Sequence, residues 1–392
     1  MRLSRRIEGI TGGGSDGWDL FYRARAMKAA GEAVLELTVG EHDWTTPRPI
    51  LDAMHAAATA GQTGYAVVPG LSALREAVAA RVAKRTGVAT APENVLITPG
   101  GQAGLFAAHM ALCDPGDRAL HLDPYYATYP GTIRAAGAVP VAVDTRPDDG
   151  FQPRAADLDA AATGARSLLV NTPNNPTGAV YSRATLEGVA EVTRAHDLWL
   201  ISDEVYDTQV WAGAHLSPRA LPGMAERTLV VGSLSKSHAM TGSRLGWVVG
   251  PEEAIARMID LATVTTYGVP TFIQQAALAA LGQPALEREG AAVFRRRRDL
   301  AARVLSGREG LRLLPAQGAM YVLLDVRATR LSGEGFAHAL LDAHRIAVMP
   351  GESFGQAAAG HVRVALTVAD DRLEAALETL ARFAAARAAE AA

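Results

Sequence analysis

Seven short apolar runs between residues 95 and 249 constrain the fold of this chain more than any other feature. They cover residues 95–98, 119–122, 139–143, 167–171, 198–202, 228–232 and 245–249. Nearly all are continuously apolar, as expected of strands buried on both faces, and helical segments separate most of them. The pattern predicts an α/β domain with a mostly parallel sheet. Ligands of such domains bind at the carboxyl ends of the strands.

The pattern of the C-terminal part of the chain predicts a smaller α+β domain. A helical region covers about residues 251–304 and is broken near Gly268 and Gly282. Short strands are predicted at 311–314, 320–326, 346–348 and 362–366, with helices at 333–344 and 370–389. A further strand at 35–39 suggests that N-terminal residues join this domain. Residues 11–17 are predicted to form a flexible loop.

Composition and charge exclude several classes of function. The formal net charge of -3 gives no general attraction to nucleic acid or to an anionic membrane. No uncharged apolar run is long enough to span a bilayer, and no signal peptide is visible, so a cytoplasmic location is predicted. The single cysteine, Cys113, excludes an intramolecular disulfide framework and a cysteine-based metal cluster, and no metal site is predicted. The basic run at 295–298 is interpreted as a solvated helix face.

Lys236 is the candidate for covalent chemistry. The chain has 38 Lys and Arg residues, and only Lys28, Lys84 and Lys236 among them are lysines. Such a chain uses arginine wherever it needs only a positive charge, so a lysine between small hydroxyl residues, just after an apolar run, suggests a need for an amine. An amine can lose its proton and form a Schiff base, which a guanidinium cannot. A solvated loop lysine is the alternative.

Other polar clusters follow the predicted strands. The glycines at 100–104 open a helix whose N–H groups could bind an anion. Tyr126 could stack on a flat ligand, and Asp203 directly follows a buried strand, where a carboxylate needs a partner. Arg363 alternates out of an apolar strand and could bind a carboxylate. Each cluster alone is also compatible with ordinary turn, core or surface chemistry.

The ordered set of motifs resembles the class I fold of pyridoxal-phosphate-dependent aminotransferases, the aspartate-aminotransferase-like family. The most specific motif is Ser-x-Ser-Lys, then seven residues and Arg-x-Gly, at residues 233–246. Asn-Asn-Pro-Thr-Gly at 174–178, Asp-Glu-x-Tyr at 203–206 and Tyr-x4-Gly at 65–70 precede it in the family's order. The resemblance covers nearly the whole chain. It implies fold type I: a three-layer α/β/α large domain at 46–290, with a mostly parallel seven-stranded sheet. The smaller α+β domain would combine 1–45 with 291–392.

The resemblance also implies roles for cofactor-binding residues. Lys236 would hold pyridoxal 5′-phosphate as an aldimine and move protons as base and acid. Asp203 would keep the pyridine nitrogen protonated, while Asn175 and Tyr206 would bind the ring's phenolic oxygen. Tyr126 matches a stacking aromatic that is often Trp in the family. The phosphate would be held by the backbone of Gly101 and Gln102 and by Ser233, Ser235 and Arg244.

Two further implications concern the substrate and a partner subunit. Arg363, helped by the Gly40 backbone and Asn175, would bind the substrate α-carboxylate. Tyr65 would reach the phosphate of a neighbouring subunit, which implies a homodimer with shared active sites.

The function implied is transfer of an amino group between an L-amino acid and a 2-oxoacid, through the Lys236 aldimine and pyridoxamine phosphate. A pyridoxal-phosphate-dependent carbon–sulfur β-lyase on the same scaffold is the alternative. Residues 265–272 contain no basic residue, which weakens a strict aspartate or glutamate specificity. His109, Arg23 or Arg25 could supply the missing cation. An aromatic or aliphatic donor, with 2-oxoglutarate or pyruvate as acceptor, is equally open.

Overall fold

The computed structural model describes residues 1–12 and 17–391, so that residues 13–16 of the loop predicted at 11–17 lie outside the described residues. Its strands are β1 (Leu35–Leu37), β2 (Val95–Thr98), β3 (Arg118–Asp123), β4 (Val139–Asp144), β5 (Ala165–Asn171), β6 (Trp199–Asp203), β7 (Thr228–Ser233), β8 (Gly246–Val249), β9 (Arg312–Leu313), β10 (Tyr321–Asp325), β11 (Ile346–Pro350) and β12 (His361–Ala365).

The helices surround two sheets. They are α1 (Arg5–Glu8), α2 (Asp19–Ala29), α3 (Arg48–Thr59), α4 (Ser72–Thr86), α5 (Gly101–Leu112), α6 (Tyr129–Ala135), α7 (Ala155–Ala162), α8 (Arg183–Ala195), α9 (Glu252–Val264), α10 (Thr271–Leu281), α11 (Pro284–Leu305), α12 (Gly333–His344) and α13 (Asp370–Ala391).

The larger sheet has seven strands in the order β2-β8-β7-β6-β5-β3-β4. Strands β3 to β7 run parallel, and β8 runs antiparallel to both of its neighbours, β2 and β7. Each of the seven predicted apolar runs overlaps one of these strands, so the prediction of a mostly parallel seven-stranded sheet is confirmed. The parallel strands bring their carboxyl ends to one edge of the sheet.

Helices cover both faces of this sheet and form three layers, as predicted. Successive residues of a strand point to opposite faces. Accordingly, Leu168 joins a core that contains Leu186 of α8, whereas Leu169 joins a core that contains Leu105 of α5. Both faces are apolar because both are buried, which explains the continuous apolar runs in the sequence.

The smaller sheet has five strands in the order β1-β11-β12-β10-β9. β1 comes from the N-terminal part of the chain and pairs in parallel with β11. The pairs β11–β12, β12–β10 and β10–β9 are antiparallel. The sheet therefore joins residues from both ends of the chain.

The interpretation of residues 295–298 as a solvated face is wrong for Arg297. This side chain of α11 is buried and pairs with Asp43 at 2.8 Å and with Asp370 at 3.0 Å. Its guanidinium also lies 5.7 Å from the centre of the Trp44 ring. Burial of an arginine costs less free energy when carboxylates pair with it, and here both carboxylates come from distant parts of the chain.

The described residues contain neither a helix suited to cross a membrane nor a cluster of metal-ligating side chains. None of the helices in that part of the chain combines the length and the apolar character that a membrane crossing requires. No group of three or more His, Cys, Asp or Glu side chains in the same part is placed to hold a metal ion.

The buried side chain of His109 makes the fold sensitive to acid. His109 of α5 is 0% exposed, and neither of its ring nitrogens has a hydrogen-bond partner among the described residues. Burial, and to a lesser extent the neighbouring His121, lowers the pKa of His109 to about 4. The folded protein therefore keeps this ring neutral at pH values where an unfolded chain binds a proton.

We expect His109→Gln to make the free energy of unfolding less dependent on pH. The folded pKa lies below the ordinary value, so the stability contribution is complete above pH 6.5 and is lost as the pH falls toward 4. Between pH 7 and pH 5 the wild type should lose about 2 kcal/mol of unfolding free energy relative to the variant. Denaturant unfolding at the two pH values measures this. The exposed His55→Gln control keeps His109 and should therefore retain the pH dependence of the wild type. A pH-independent difference between the wild type and His109→Gln would contradict the expectation.

Candidate active site

Lys236 lies at the edge of the seven-stranded sheet where the parallel strands end. It follows β7 by three residues, in a loop that returns to the sheet as the antiparallel strand β8. Its amine donates a hydrogen bond to the carbonyl oxygen of Gly40. Its own carbonyl oxygen accepts a hydrogen bond from the Gln209 side chain at 2.9 Å. Burial lowers the pKa of the amine and so favours its neutral, nucleophilic form.

Asp203 ends the neighbouring strand β6 and is buried beside this loop. One carboxyl oxygen accepts a hydrogen bond from the Tyr129 hydroxyl at 2.7 Å, and the other accepts one from the Val205 backbone N–H at 3.2 Å. Burial outweighs these hydrogen bonds and raises the pKa of Asp203 to about 6. A cation beside this carboxyl group would therefore be strongly favoured.

Groups that could bind an anion lie in the same cavity as Lys236. Helix α5 begins at Gly101, so its first N–H groups have no partner within the helix. The Gln102 side chain is engaged with Thr128 and Thr132. Only glycine fits at position 100, because its φ is 80° and a Cβ atom there would overlap the Arg244 guanidinium. The helix end and the guanidinium therefore lie close together.

Two hydroxyl groups complete this anion site. The Ser233 hydroxyl oxygen lies 2.9 Å from the Ser235 hydroxyl oxygen and 3.0 Å from the Leu245 carbonyl oxygen, and its one proton can be donated to either. The Ser233 oxygen also accepts a hydrogen bond from the Ser235 backbone N–H. N–H groups, hydroxyls and a guanidinium are together typical of phosphate binding.

Arg363 of β12 is a buried cation with neutral partners. Its side chain is 1% exposed and donates to the Asn175 side-chain oxygen at 2.7 Å and to the Thr38 carbonyl oxygen. The guanidinium lies between two rings, 4.2 Å from the centre of Tyr321 and 4.4 Å from that of Phe354. Within the part of the chain that the structure describes, its Nε atom has no hydrogen-bond partner, and burial lowers the pKa of the guanidinium. A carboxylate ligand would supply the missing negative charge.

A cavity of about 390 Å³ connects these groups. All but one of the predicted site residues line it, namely Gly40, Gly101, Gln102, Tyr126, Asn175, Asp203, Tyr206, Ser233, Ser235, Lys236, Arg244 and Arg363. The exception is Tyr65, which is 93% exposed and packs edge-on against Tyr267 at 5.3 Å. The structure therefore does not bring Tyr65 to the cavity of its own chain.

Two lining residues, Tyr321 and Glu41, were missed by sequence reasoning. Tyr321 lies 2.9 Å from the Tyr206 hydroxyl, oxygen to oxygen. Its position follows from the pairing of β10 with β12, which the sequence does not reveal. Glu41 accepts a hydrogen bond from Thr241 at 3.0 Å, and its only signal was its place beside Gly40.

The three residues suggested as a cation for a second carboxylate do not line this cavity. Arg23 binds Asp342 at 2.5 Å, and Arg25 binds Glu36 at 2.8 Å. His109 is buried in the core of the large sheet. Charged partners and core packing hold all three away from the cavity of their own chain, and a contribution to the site of a partner subunit stays a prediction.

Comparisons with known proteins agree with this geometry. Residues 32–380 match the family described as aminotransferase class I and II. The chain is 45% identical to the arginine–pyruvate transaminase of Pseudomonas aeruginosa, over 98% of each chain. It is 37% identical to the aspartate/prephenate aminotransferase of Thermus thermophilus, over 97% of this chain and 98% of that protein. The solved structure of Thermus thermophilus aspartate aminotransferase with maleate matches with a TM-score of 0.91 and 37% identity, over 98% of this chain and 100% of that one.

We expect Gly40→Ala to destabilise the protein. A Cβ atom at this position would overlap the Tyr321 hydroxyl and lie 3.0 Å from the Met320 sulfur. The Tyr321 ring cannot easily move, because Tyr206 and Arg363 hold it. Overpacking of this kind lowers the free energy of unfolding by about 1–3 kcal/mol, which denaturant unfolding can measure. Gly64→Ala is the matched control, since nothing lies within 4 Å of its Cβ position. Equal stability of the two variants would contradict the expectation.

Proposed function

Because this chain belongs to the class I and II aminotransferases and is an enzyme of amino-group transfer, we propose that it acts with pyridoxal 5′-phosphate held in the cavity beside Lys236. The observation that carries the proposal is the arrangement of charge around that amine. Groups suited to bind an anion and the buried Asp203 carboxyl group line the same cavity as Lys236.

The residues present fit this cofactor. The phosphate would bind the N–H groups of Gly101 and Gln102, together with Ser233, Ser235 and Arg244. Asp203 would pair with the protonated ring nitrogen. This pairing explains why a carboxyl group with a raised pKa is placed in a buried position.

Four further side chains have proposed roles. Asn175 and Tyr206 would bind the phenolic oxygen of the ring, and Tyr126 would pack against the ring face. Arg363 would bind the substrate α-carboxylate, with help from the Gly40 backbone. The support for this last role is a buried guanidinium that has only neutral partners.

The mechanism follows from what these side chains can do. The bound cofactor supplies an electron sink for the negative charge that develops at the substrate α-carbon. The Lys236 amine removes the α-proton and later returns it, and its lowered pKa increases the fraction that is neutral and able to accept a proton. Asp203 keeps the ring nitrogen charged. Arg363 fixes the α-carboxylate, so that the reacting bond is oriented toward Lys236.

The β-lyase alternative is not favoured. The relatives and the solved structure described above are all named as aminotransferases or transaminases. Lys236, Asp203 and Arg363 would serve either reaction, so the preference rests on these relatives.

A homodimer with shared active sites is part of the proposal. Tyr65 and Tyr267 form an exposed aromatic pair that is suited to contact a second copy of the chain. Tyr65 would then reach the phosphate of the partner subunit. The division into 46–290 and 1–45 with 291–392 stays a prediction, supported by the two separate sheets. A cytoplasmic location is proposed as well, in agreement with a single buried cysteine that forms no disulfide.

We propose a basic amino acid as donor and pyruvate as acceptor. The Pseudomonas aeruginosa relative is named as an arginine–pyruvate transaminase. The cations among the described residues that line the cavity are Lys236, Arg244 and Arg363, and each has a proposed role already. The carboxylate of Glu41 lines the same cavity and could bind a cationic side chain.

Lys236→Ala tests the proposed mechanism. We expect the variant to fold, to lose the absorbance of the lysine–cofactor chromophore and to transfer amino groups about a thousandfold more slowly or worse. Absorbance spectra and a transamination assay measure both effects. Lys84→Ala, which removes an exposed lysine from α4, should behave as wild type. Undiminished turnover of Lys236→Ala would overturn the mechanism.

A half-reaction screen tests the proposed donor. Each amino acid is mixed with the cofactor-loaded protein, and loss of the chromophore is followed. We expect arginine to react faster than aspartate. Glu41→Gln should lower kcat/KM for arginine about tenfold, because a neutral amide replaces the carboxylate that would pair with the cationic side chain. Reaction with alanine should not change, and neither should any reaction of the exposed Glu93→Gln control. A preference for aspartate or glutamate over arginine would refute the proposed donor.

A further inference from the structure

Tyr321 contacts three separate parts of the candidate active site. It begins β10, is 2% exposed and lines the cavity. The hydroxyl lies 2.9 Å from that of Tyr206, and the two rings pack edge-on at 5.9 Å. The other contacts are with Arg363 and with the backbone of Gly40.

The contact with Arg363 is made by the face of the ring. The guanidinium lies 4.2 Å from the ring centre, a distance at which a cation is attracted by an aromatic face. Phe354 packs at 4.4 Å from the same guanidinium. The plane of the cation is therefore fixed by these rings, while Asn175 and Thr38 fix its direction through hydrogen bonds.

The contact with Gly40 is made by the hydroxyl end of the ring. A Cβ atom at Gly40 would overlap this hydroxyl, so the phenol lies directly against the backbone whose carbonyl oxygen accepts the Lys236 hydrogen bond. One side chain thus touches the residue that holds the lysine, the residue that would hold the substrate carboxylate, and Tyr206.

The direction of the hydrogen bond between the two phenols follows from the proposed function, on which this inference rests. A phenol has one proton to donate. If Tyr206 donates its proton to the phenolic oxygen of the cofactor, its own oxygen can only accept. Tyr321 must then be the donor of the 2.9 Å hydrogen bond. This arrangement strengthens the donation by Tyr206, because hydrogen bonds in a chain polarise one another.

We propose that Tyr321 is a positioning residue, whose hydroxyl orients the Tyr206 proton and whose ring holds the Arg363 guanidinium. Tyr321 takes no part in the proton transfer itself. Through Tyr206 it sets the proton affinity of the lysine–cofactor pair, and through Arg363 it sets the affinity for the amino acid.

Tyr321→Phe and Tyr321→Leu separate the two effects in the cofactor-loaded protein. The Phe variant keeps the ring and loses the hydroxyl. It should raise the pKa of the lysine–cofactor chromophore by about half a unit to one unit, with little change in KM for the amino acid. The Leu variant also loses the ring, and its KM should rise about fivefold or more above that of the Phe variant. Absorbance titration and steady-state kinetics measure these quantities.

A double-mutant cycle tests whether the hydroxyl acts through Tyr206. In a Tyr206→Phe background, Tyr321→Phe should no longer shift the chromophore pKa, because the residue through which it acts is absent. Tyr181→Phe is the matched control, since Tyr181 is 2% exposed but does not line the cavity. It should leave both the pKa and KM unchanged.

The possible outcomes distinguish this inference from the proposed function. If the wild type forms the chromophore and transfers amino groups, but Tyr321→Phe shifts the pKa in neither background or equally in both, the positioning role is overturned. An unchanged KM in folded Tyr321→Leu would overturn the role of the ring. A wild-type protein that forms no chromophore would overturn both the proposed function and this inference.

Discussion

The buried Arg363 guanidinium is the interaction on which the arrangement of the site depends. It lies on the five-stranded sheet, and its hydrogen bonds reach Asn175, after β5 of the larger sheet, and Thr38, after β1. One side chain thus joins both sheets and the N-terminal part of the chain. A charge buried among neutral groups costs several kcal/mol. The packing around Arg363 holds the guanidinium in this buried position. A carboxylate ligand would pair with it and remove the free-energy cost.

The same logic applies to two other ionisable groups of the cavity, Asp203 and Lys236. Burial raises the pKa of Asp203 and lowers the pKa values of Lys236 and Arg363. All three shifts favour the neutral form. A ligand with a cation near Asp203 and a carboxylate near Arg363 would reverse two of them, whereas the neutral form of Lys236 is itself useful for catalysis. The charged groups of the cavity are therefore already placed to match such a ligand before it binds.

The sequence predicts the sheet well, because burial on both faces leaves a direct trace in the apolar runs. Asp203, the last residue of β6, and Lys236, three residues after β7, could be located for the same reason. Tyr321 could not, because its place depends on how two strands of the other sheet pair. The environment of Arg297 was misjudged because Asp43, its partner, lies far away in the sequence. The role predicted for Tyr65 is of a different kind, because it depends on contact with a second chain.

The reversed direction of β8 has a consequence for how this site can change during evolution. Residues 234–245 leave the sheet after Ser233 and return at Gly246, and these two residues are paired across β7 and β8. Gly246 is also paired with Thr98 of β2, just before the glycines that open α5. The loop is therefore closed at its base, and its two ends are fixed relative to the helix. An inserted or deleted residue would have to be absorbed within residues 234–245, between Ser233 and Gly246 of the paired strands. We therefore expect the length of this loop to be more constrained than the identity of its residues.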